Sequence, residues 1–544
     1  MMLAWAKPNN PRFLLWLLIL LPTILAAVDA IFLRRLTYSI GVDLWEHVAA
    51  VRTWSGDLGS PPNPHVASDE VSSRYMPYFF VVSGMISFLG GEPIDFLYAF
   101  GVLNVFLFCF CWSIFFRRYF GSTWASVIGL SVFLFCWGNP WFWSNVYALK
   151  HLSVQGSYPS IFALWLTPLL WTISLSSNPK GDTAISRLRP VIVGGLTFVI
   201  LLSHVLTGAL ALFGAGILIL LSGTGSLNAR LLRLVPIVIG TLLILLWPYY
   251  NLTELIVAGV SESTSGDAPE AAETTIAQLS DERHPFYQPL GVLIALGPAF
   301  VGALCVVWLV IQRRHWFITL GACMFGILYV TNCFYTLPLG HRNLLFIVVF
   351  FHLAIITCII ECVTNASKRR FATFVRGMCI AALAIGLILG IGGTSVALIR
   401  DMRPTNINVV ETYQSLASHL SDRNVVMGKL DTTWPLPAFK GRIVGLNHGN
   451  PLVRDSDTRE NDVREFFDDD VSTQQRMRLI SKYRVSHILT EEEEEYASNE
   501  GLTDFLGAYT RESRRIRKYR LFEIIAAPRS SPPGSTEESD HPTR

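Results

Sequence analysis

Apolar residues run along this chain in stretches of about twenty, the length a helix rising 1.5 Å per residue needs to cross a bilayer. The first, Phe13 to Leu33, has no small-residue cleavage pattern behind it and reads as a span, not a removable leader. Residues 34 to 75 are too polar to face lipid, and 76 to 90 (MPYFFVVSGMISFLG) are apolar but barely long enough to cross. Spans follow at Ile94 to Phe116, Gly121 to Gly138 and about Ser160 to Leu175. The run from Pro190 to Leu221 is too long for one upright helix. It is interrupted at Ser203-His204-Val205-Leu206-Thr207-Gly208, which predicts two short helices meeting at that break. Leu234 to Tyr250, Leu290 to Ile311, Trp316 to Tyr335, Leu344 to Cys362 and Phe374 to Ile399 bring the total to about eleven spans. The pattern is that of a polytopic α-helical membrane protein.

Beyond Arg400 the pattern changes to that of a soluble domain. Short β-like runs at Asn424 to Met427, Arg442 to Leu446, Val485 to Leu489 and Arg520 to Ile525 alternate with helical patterns around 409–421, 458–467 and 473–482. That alternation predicts a small α/β domain over 401–528, followed by a Pro/Ser/charge-rich disordered tail, 529–544. The transmembrane domain is then 1–400.

Basic residues orient the spans. If 76–90 crossed, Arg117 and Arg118 and the cluster Lys180, Arg187 and Arg189 would fall outside. Placed in the interface as a juxtamembrane helix of the loop 34–92, it leaves both clusters inside. The stretch 139–157, the polar loop 251–287 and the C-terminal domain then all face outward. The expected address is the cell inner (cytoplasmic) membrane with an extracytoplasmic C-terminal domain.

Composition agrees with the pattern. Hydrophobic residues make up 51% and charged residues 15%, with a mean hydropathy of +0.42; soluble domains carry about 25% charged residues. A net charge of +2 gives no nucleic-acid signal. The nine cysteines all sit in or beside apolar runs and read as small buried hydrophobes, not as a disulfide or zinc framework. The acidic runs Asp468 to Asp470 and Glu491 to Glu495 read as solvated helix ends.

The stretch richest in candidate chemistry is GVDLWEHVAAVRTW, Gly41 to Trp54. Asp43, Glu46 and His47 stand at i, i+3 and i+4, one face of a helix. Such a face can hold a divalent metal (Mg or Mn) through Asp43 and Glu46, or supply a general base tuned by its neighbours. Alternatively it is an interfacial helix with its polar side in water. Elsewhere, His341 and Arg342 in LPLGHRN stand where an outer loop enters a span, so Arg342 can bind a phosphate bidentately or anchor at the interface. His204, inside an apolar run, is neutral and bonded to Ser203 or Thr207, or faces a cavity. The outer segments add Glu70, His151, Gln155 and His284 as candidate contacts for donor or acceptor.

The plan resembles the GT-C superfamily of membrane glycosyltransferases. The matching pieces are VDLWEH after the first span, the juxtamembrane-like SSRYMPYFFVVSGMISFLGGEP, the FFRRYFG turn, the broken LLSHVLTGALAL pair, and the tail from GRIVGLN to KYRVSHILTEE. The resemblance implies an inverting transfer of sugar from a polyprenyl-phosphate donor to a cell-envelope glycan, lipid or protein. Asp43 would be the base, with Glu46, Asp69 and Glu70 in reserve. Two departures stand out. The stretch 139–157 has no second acidic residue, and the broken pair carries His204 where many relatives have a lysine.

A polytopic transporter or flippase of lipid-linked saccharides would share the broken pair. It would not need the outer loop and outer domain, and no inverted repeat relates the halves. A third class is a non-catalytic membrane partner of envelope assembly.

Overall fold

The structure, a computed structural model, describes residues 10–33, 43–67, 73, 75–139, 145–175, 184–222, 226–253, 289–334, 342–364, 370–401, 408–447, 452–453, 455–491 and 499–525. The chain packs as two compact units. One comprises Met1–Thr37, Trp54–Pro61 and Ser72–Asn406; the other comprises Tyr38–Thr53, Pro62–Val71 and Ile407–Arg544.

The first unit is helical. Its first helix is α1 (Pro11–Val28), capped by the Asn10 side chain and extended by a wider turn over Asp29–Leu33. The helix α2 (Leu44–Gly56) ends in this unit. It is followed by α3 (Pro77–Leu89), α4 (Pro93–Phe120), α5 (Thr123–Phe135), α6 (Leu149–Gln155) and α7 (Pro159–Leu175). Next come α8 (Ala184–Ser203), α9 (Val205–Ser222), α10 (Leu227–Leu232) and α11 (Val235–Leu242). Beyond these lie α12 (Pro289–Leu296), α13 (Val301–Gln312), α14 (Trp316–Phe334), α15 (Asn343–Thr364) and α16 (Arg370–Asp401). Each apolar run of the sequence is helical over most of its described residues. Among the described residues, six stretches are long and apolar enough to cross a membrane, and α6 with α7 makes a further candidate bent by 114°.

Gly121, with φ 75°, ends α4, and Ser122 caps α5, so FFRRYFG makes a tight reversal between two apolar helices. The break in the long apolar run falls at His204, between α8 and α9. It is sharp: a Cβ on Gly208 would stand 3.0 Å from the Leu201 Cα, so only glycine lets the two helices approach there. The bend between α6 and α7 rests on a similar approach, because a Cβ on Gly156 would meet the Gly101 carbonyl oxygen at 2.6 Å. Asn104 of α4 spans this corner, donating to the Gly156 carbonyl at 2.9 Å and to the Tyr78 hydroxyl of α3 at 3.3 Å. It also accepts from the Trp165 indole at 3.1 Å. The core is aromatic: Trp112 lies 4.6 Å from Phe133 and 5.6 Å from Trp171, which lies 5.2 Å from Phe317.

The second unit contains a five-stranded sheet built from β1 (Val425–Met427), β2 (Arg442–Ile443), β3 (His487–Glu491), β4 (Thr510–Ile516) and β5 (Tyr519–Ile524). Their order is β2-β1-β3-β5-β4, with β1 parallel to β2 and β3, and β5 antiparallel to β3 and β4. The helices are α17 (Val409–Ala417), α18 (Leu430–Thr433), α19 (Ser456–Phe467), α20 (Thr473–Tyr483) and α21 (Glu500–Tyr509). A reciprocal capping box between Ser472 and Gln475 starts α20. Met427, Phe466, Ile488, Phe505 and Phe522 form the core of the sheet. The alternation expected from the sequence is therefore present, and it gains an edge strand, β4, and the helix α21.

Candidate active site

The N-terminal part of α2, as far as Thr53, belongs to the unit that contains the sheet. Arg52 fixes it there: its Nε donates to the Pro437 carbonyl at 2.9 Å, and a guanidinium nitrogen pairs with Asp422 at 2.5 Å. Trp45 packs 6.0 Å from Phe439. The segment beyond the helix follows suit. His65 stacks on Trp434 at 5.1 Å and accepts the Ile443 N–H through its carbonyl at 2.7 Å. Asn63 holds this turn by accepting from the His65 and Val66 amides.

On this frame Asp43 immediately precedes α2 with an exposed side chain, and its carbonyl accepts the His47 amide at 3.2 Å. Glu46 and His47 are only 7% and 8% exposed. An interfacial helix with its polar side in water therefore does not describe α2. A carboxylate at the start of a helix is favoured by the helix dipole, which accounts for Asp43 structurally.

Divalent metal would require donor atoms that converge. Among the described residues, one group of three His, Cys, Asp or Glu side chains brings its donor atoms within 4.8 Å of one another, and it consists of Cys305, Cys358 and Cys379. Asp43, Glu46 and His47 do not form such a group.

Within the helical unit, the segment from Asn145 to Gln155 is drawn into the bundle. Tyr147 meets His352 Nδ1 at 3.1 Å, and His352 Nε2 meets the Cys136 carbonyl at 2.8 Å, so this histidine is satisfied on both sides. Lys150 reaches Asn139 at 2.9 Å. His151 and Gln155 are 6% and 1% exposed, and Gln155 Oε1 has no hydrogen-bond partner among the described residues. His204 caps α9: its Nδ1 accepts the Thr207 amide at 3.2 Å and lies 2.9 Å from the Thr207 hydroxyl. That hydroxyl also reaches the Asn145 side-chain oxygen at 3.2 Å. The structure thus brings His204 together with Asn145, a residue that sequence reasoning passed over because nothing in NPWFWSNVYALKH marks one asparagine above another.

Arg342 is half-buried and immediately precedes α15, where the helix dipole and its guanidinium both favour an anion. Glu70, His284 and His341 lie outside the described residues, as does Asp69.

No family model matches the sequence, and no curated protein matches it. Solved structures do. The Archaeoglobus fulgidus oligosaccharyltransferase in its apo form covers 91% of this chain and 72% of its own, with a TM-score of 0.52 and 11% identity. ArnT from Cupriavidus metallidurans, also in the apo state, covers 93% of this chain and 98% of its own, with a TM-score of 0.49 and 13% identity. At such identities the likeness is one of fold, and the oligosaccharyltransferase superposition carries it. The chain shares the fold of that oligosaccharyltransferase and is a multi-pass membrane protein.

Proposed function

We propose that this protein is a membrane glycosyltransferase that moves a sugar from a polyprenyl-phosphate donor to a cell-envelope glycan, lipid or protein acceptor. The observation that carries the reading is the fold likeness to an oligosaccharyltransferase across 91% of the chain. The buried Glu46 and His47 beside an exposed Asp43 add to it. Charged and polar side chains kept out of water cost stability and are retained where they act.

In the reaction we envisage, the Asp43 carboxylate takes the proton of the acceptor hydroxyl. The freed oxygen attacks the anomeric carbon while the bond from that carbon to the phosphate oxygen breaks. A single displacement of this kind inverts the anomeric centre. The electron pair leaves with polyprenyl phosphate, whose growing charge Arg342 and the N-terminus of α15 stabilise. His204, whose Nδ1 is engaged in capping α9, positions the α8–α9 corner.

The same reading sets the topology: about eleven spans in the inner (cytoplasmic) membrane, α3 lying at the interface, and the C-terminal domain outside. Mass spectrometry of lipid-linked intermediates in a deletion strain tests the function. Accumulation of one polyprenyl-phosphate sugar, together with loss of that sugar from one envelope component, is the expected result. Unchanged lipid-linked sugars and unchanged envelope glycans would reject it. A transporter of such lipids would leave the purified protein unable to transfer sugar in detergent, where no second compartment exists.

A further inference from the structure

Three cysteines that the proposed transfer does not use converge inside the helical unit. Cys305 on α13, Cys358 on α15 and Cys379 on α16 are each 0% exposed. Their sulfurs all lie within 4.8 Å of one another. The Cys305 and Cys379 sulfurs are 3.3 Å apart, well beyond a disulfide bond of about 2.05 Å. A single buried cysteine needs no explanation beyond packing, since it behaves as a small hydrophobe. Three thiols delivered to one point by three helices make a donor set.

We propose that this set binds one soft, monovalent metal ion, Cu(I), between α13, α15 and α16. A metal bonded to three sulfurs at about 2.3 Å in one plane holds them about 4 Å apart, inside the range found here. Thiolate sulfur selects Cu(I), Zn(II) and iron–sulfur clusters over hard cations. Structural zinc is almost always four-coordinate, and iron–sulfur clusters take four cysteines. No fourth Cys, His, Asp or Glu donor joins the group among the described residues. Metal-ligating cysteines bind as thiolates, so all three sulfurs give up their protons as the ion enters. On binding, three cysteine protons pass to solvent and no electron moves. The ion would also tether α16, whose Phe374, Ile380 and Ile388 are exposed and contribute nothing to the core.

The test uses the full-length protein in detergent under anaerobic, reducing conditions, titrated with Cu(I) buffered by bathocuproine disulfonate. One equivalent should bind, with thiolate-to-copper absorption in the near ultraviolet and X-ray absorption showing sulfur neighbours at about 2.3 Å. Cys379→Ser and Cys358→Ala should each weaken binding by about 100-fold or more, since even a lost outer partner of a metal ligand costs about 10- to 100-fold. Cys323→Ser, which alters an exposed cysteine on α14, should bind as wild type does. Wild-type protein that takes up no Cu(I), or holds it without sulfur neighbours, overturns the proposal whatever the variants do. So does full affinity in a folded Cys305→Ser/Cys358→Ser/Cys379→Ser protein, or a Cys305–Cys379 disulfide as the sole state in freshly alkylated membranes.

Discussion

Asp43 and Glu46 are three residues apart, yet the fold treats them differently: the first is exposed at the head of α2, and the second is buried within its first turn. A base must reach its substrate's proton, so the exposed carboxylate is assigned that role. Asp43→Asn keeps the shape and removes the proton acceptor. It should lower transfer from a purified polyprenyl-phosphate donor by about 10²- to 10⁴-fold with donor affinity near normal. Glu46→Gln should be milder; full transfer by Asp43→Asn alongside an inactive Glu46→Gln would show that the base is misassigned. Arg342 gives the companion prediction. Arg342→Ala removes both the fork and the charge, at a cost of about 1.5–3 kcal/mol for a charged hydrogen bond, whereas Arg342→Lys keeps the charge and should lose less. Equal donor affinity in wild type and Arg342→Ala, measured by equilibrium binding, would remove it from the phosphate site. Both residues stand out in the sequence as candidates because charge beside a long apolar run is conspicuous. Thr207, three residues from His204, was legible as its partner, but Asn145 was not, because it reaches the Thr207 hydroxyl only when chain segments 62 residues apart meet.

At the level of elements, periodicity served well where one face of the element is apolar and failed where it is not. The buried β1 (VVM) and the amphipathic α20 were readable, while β4 (TRESRRI) was not. That edge strand exposes most of its charged residues, and its partner is β5, which supplies the hydrophobic side. The helix α6 was hidden for a related reason: a seven-residue turn bearing Lys150, His151 and Gln155 looks like loop until the Gly101–Gly156 approach folds it under α4. Gly156→Ala should therefore destabilise the protein by about 1–3 kcal/mol, as overpacking does, seen as a lower melting temperature in detergent. Gly216→Ala, in open space on α9, serves as the neutral comparison. In the sheet, burial holds the His487 imidazole below its ordinary pKa; Glu523, directly opposite, works against this, and His419 adds to it. The folded protein thus binds this proton less readily than the unfolded chain. The contribution is complete above the ordinary histidine value of about 6.5 and is lost as pH falls through it. The melting temperature should drop between about pH 7.5 and 5.5, and His487→Gln should shrink that drop. An identical pH profile in the variant would remove His487 as its source.

Over the whole molecule, the alternation of apolar runs and basic turns carries most of the architecture, because in lipid every backbone polar group must be satisfied within helices. What the alternation does not carry is the membership of Tyr38–Thr53 and Pro62–Val71 in the unit that contains the C-terminal sheet. That association rests on contacts such as Arg52 with Asp422, 370 residues apart in sequence. It has a topological consequence: segments that pack in the sheet-containing unit, among whose described residues no helix is long and apolar enough to cross a membrane, lie on one side of it. The basic clusters assign the same side to 34–92, to 251–287 and to everything beyond 401. The check is cysteine labelling in a Cys323→Ser background, since the other described native cysteines are buried. Ser265→Cys and Ser456→Cys should both react with a membrane-impermeant maleimide added to intact cells, or to spheroplasts where an outer envelope blocks access. Lys180→Cys should react only after lysis. Labelling of Ser456→Cys but not Ser265→Cys would mean an odd number of crossings between them and would break the eleven-span arrangement. Labelling of Lys180→Cys from outside would place α3 across the bilayer, and the orientation drawn from the basic residues would be wrong.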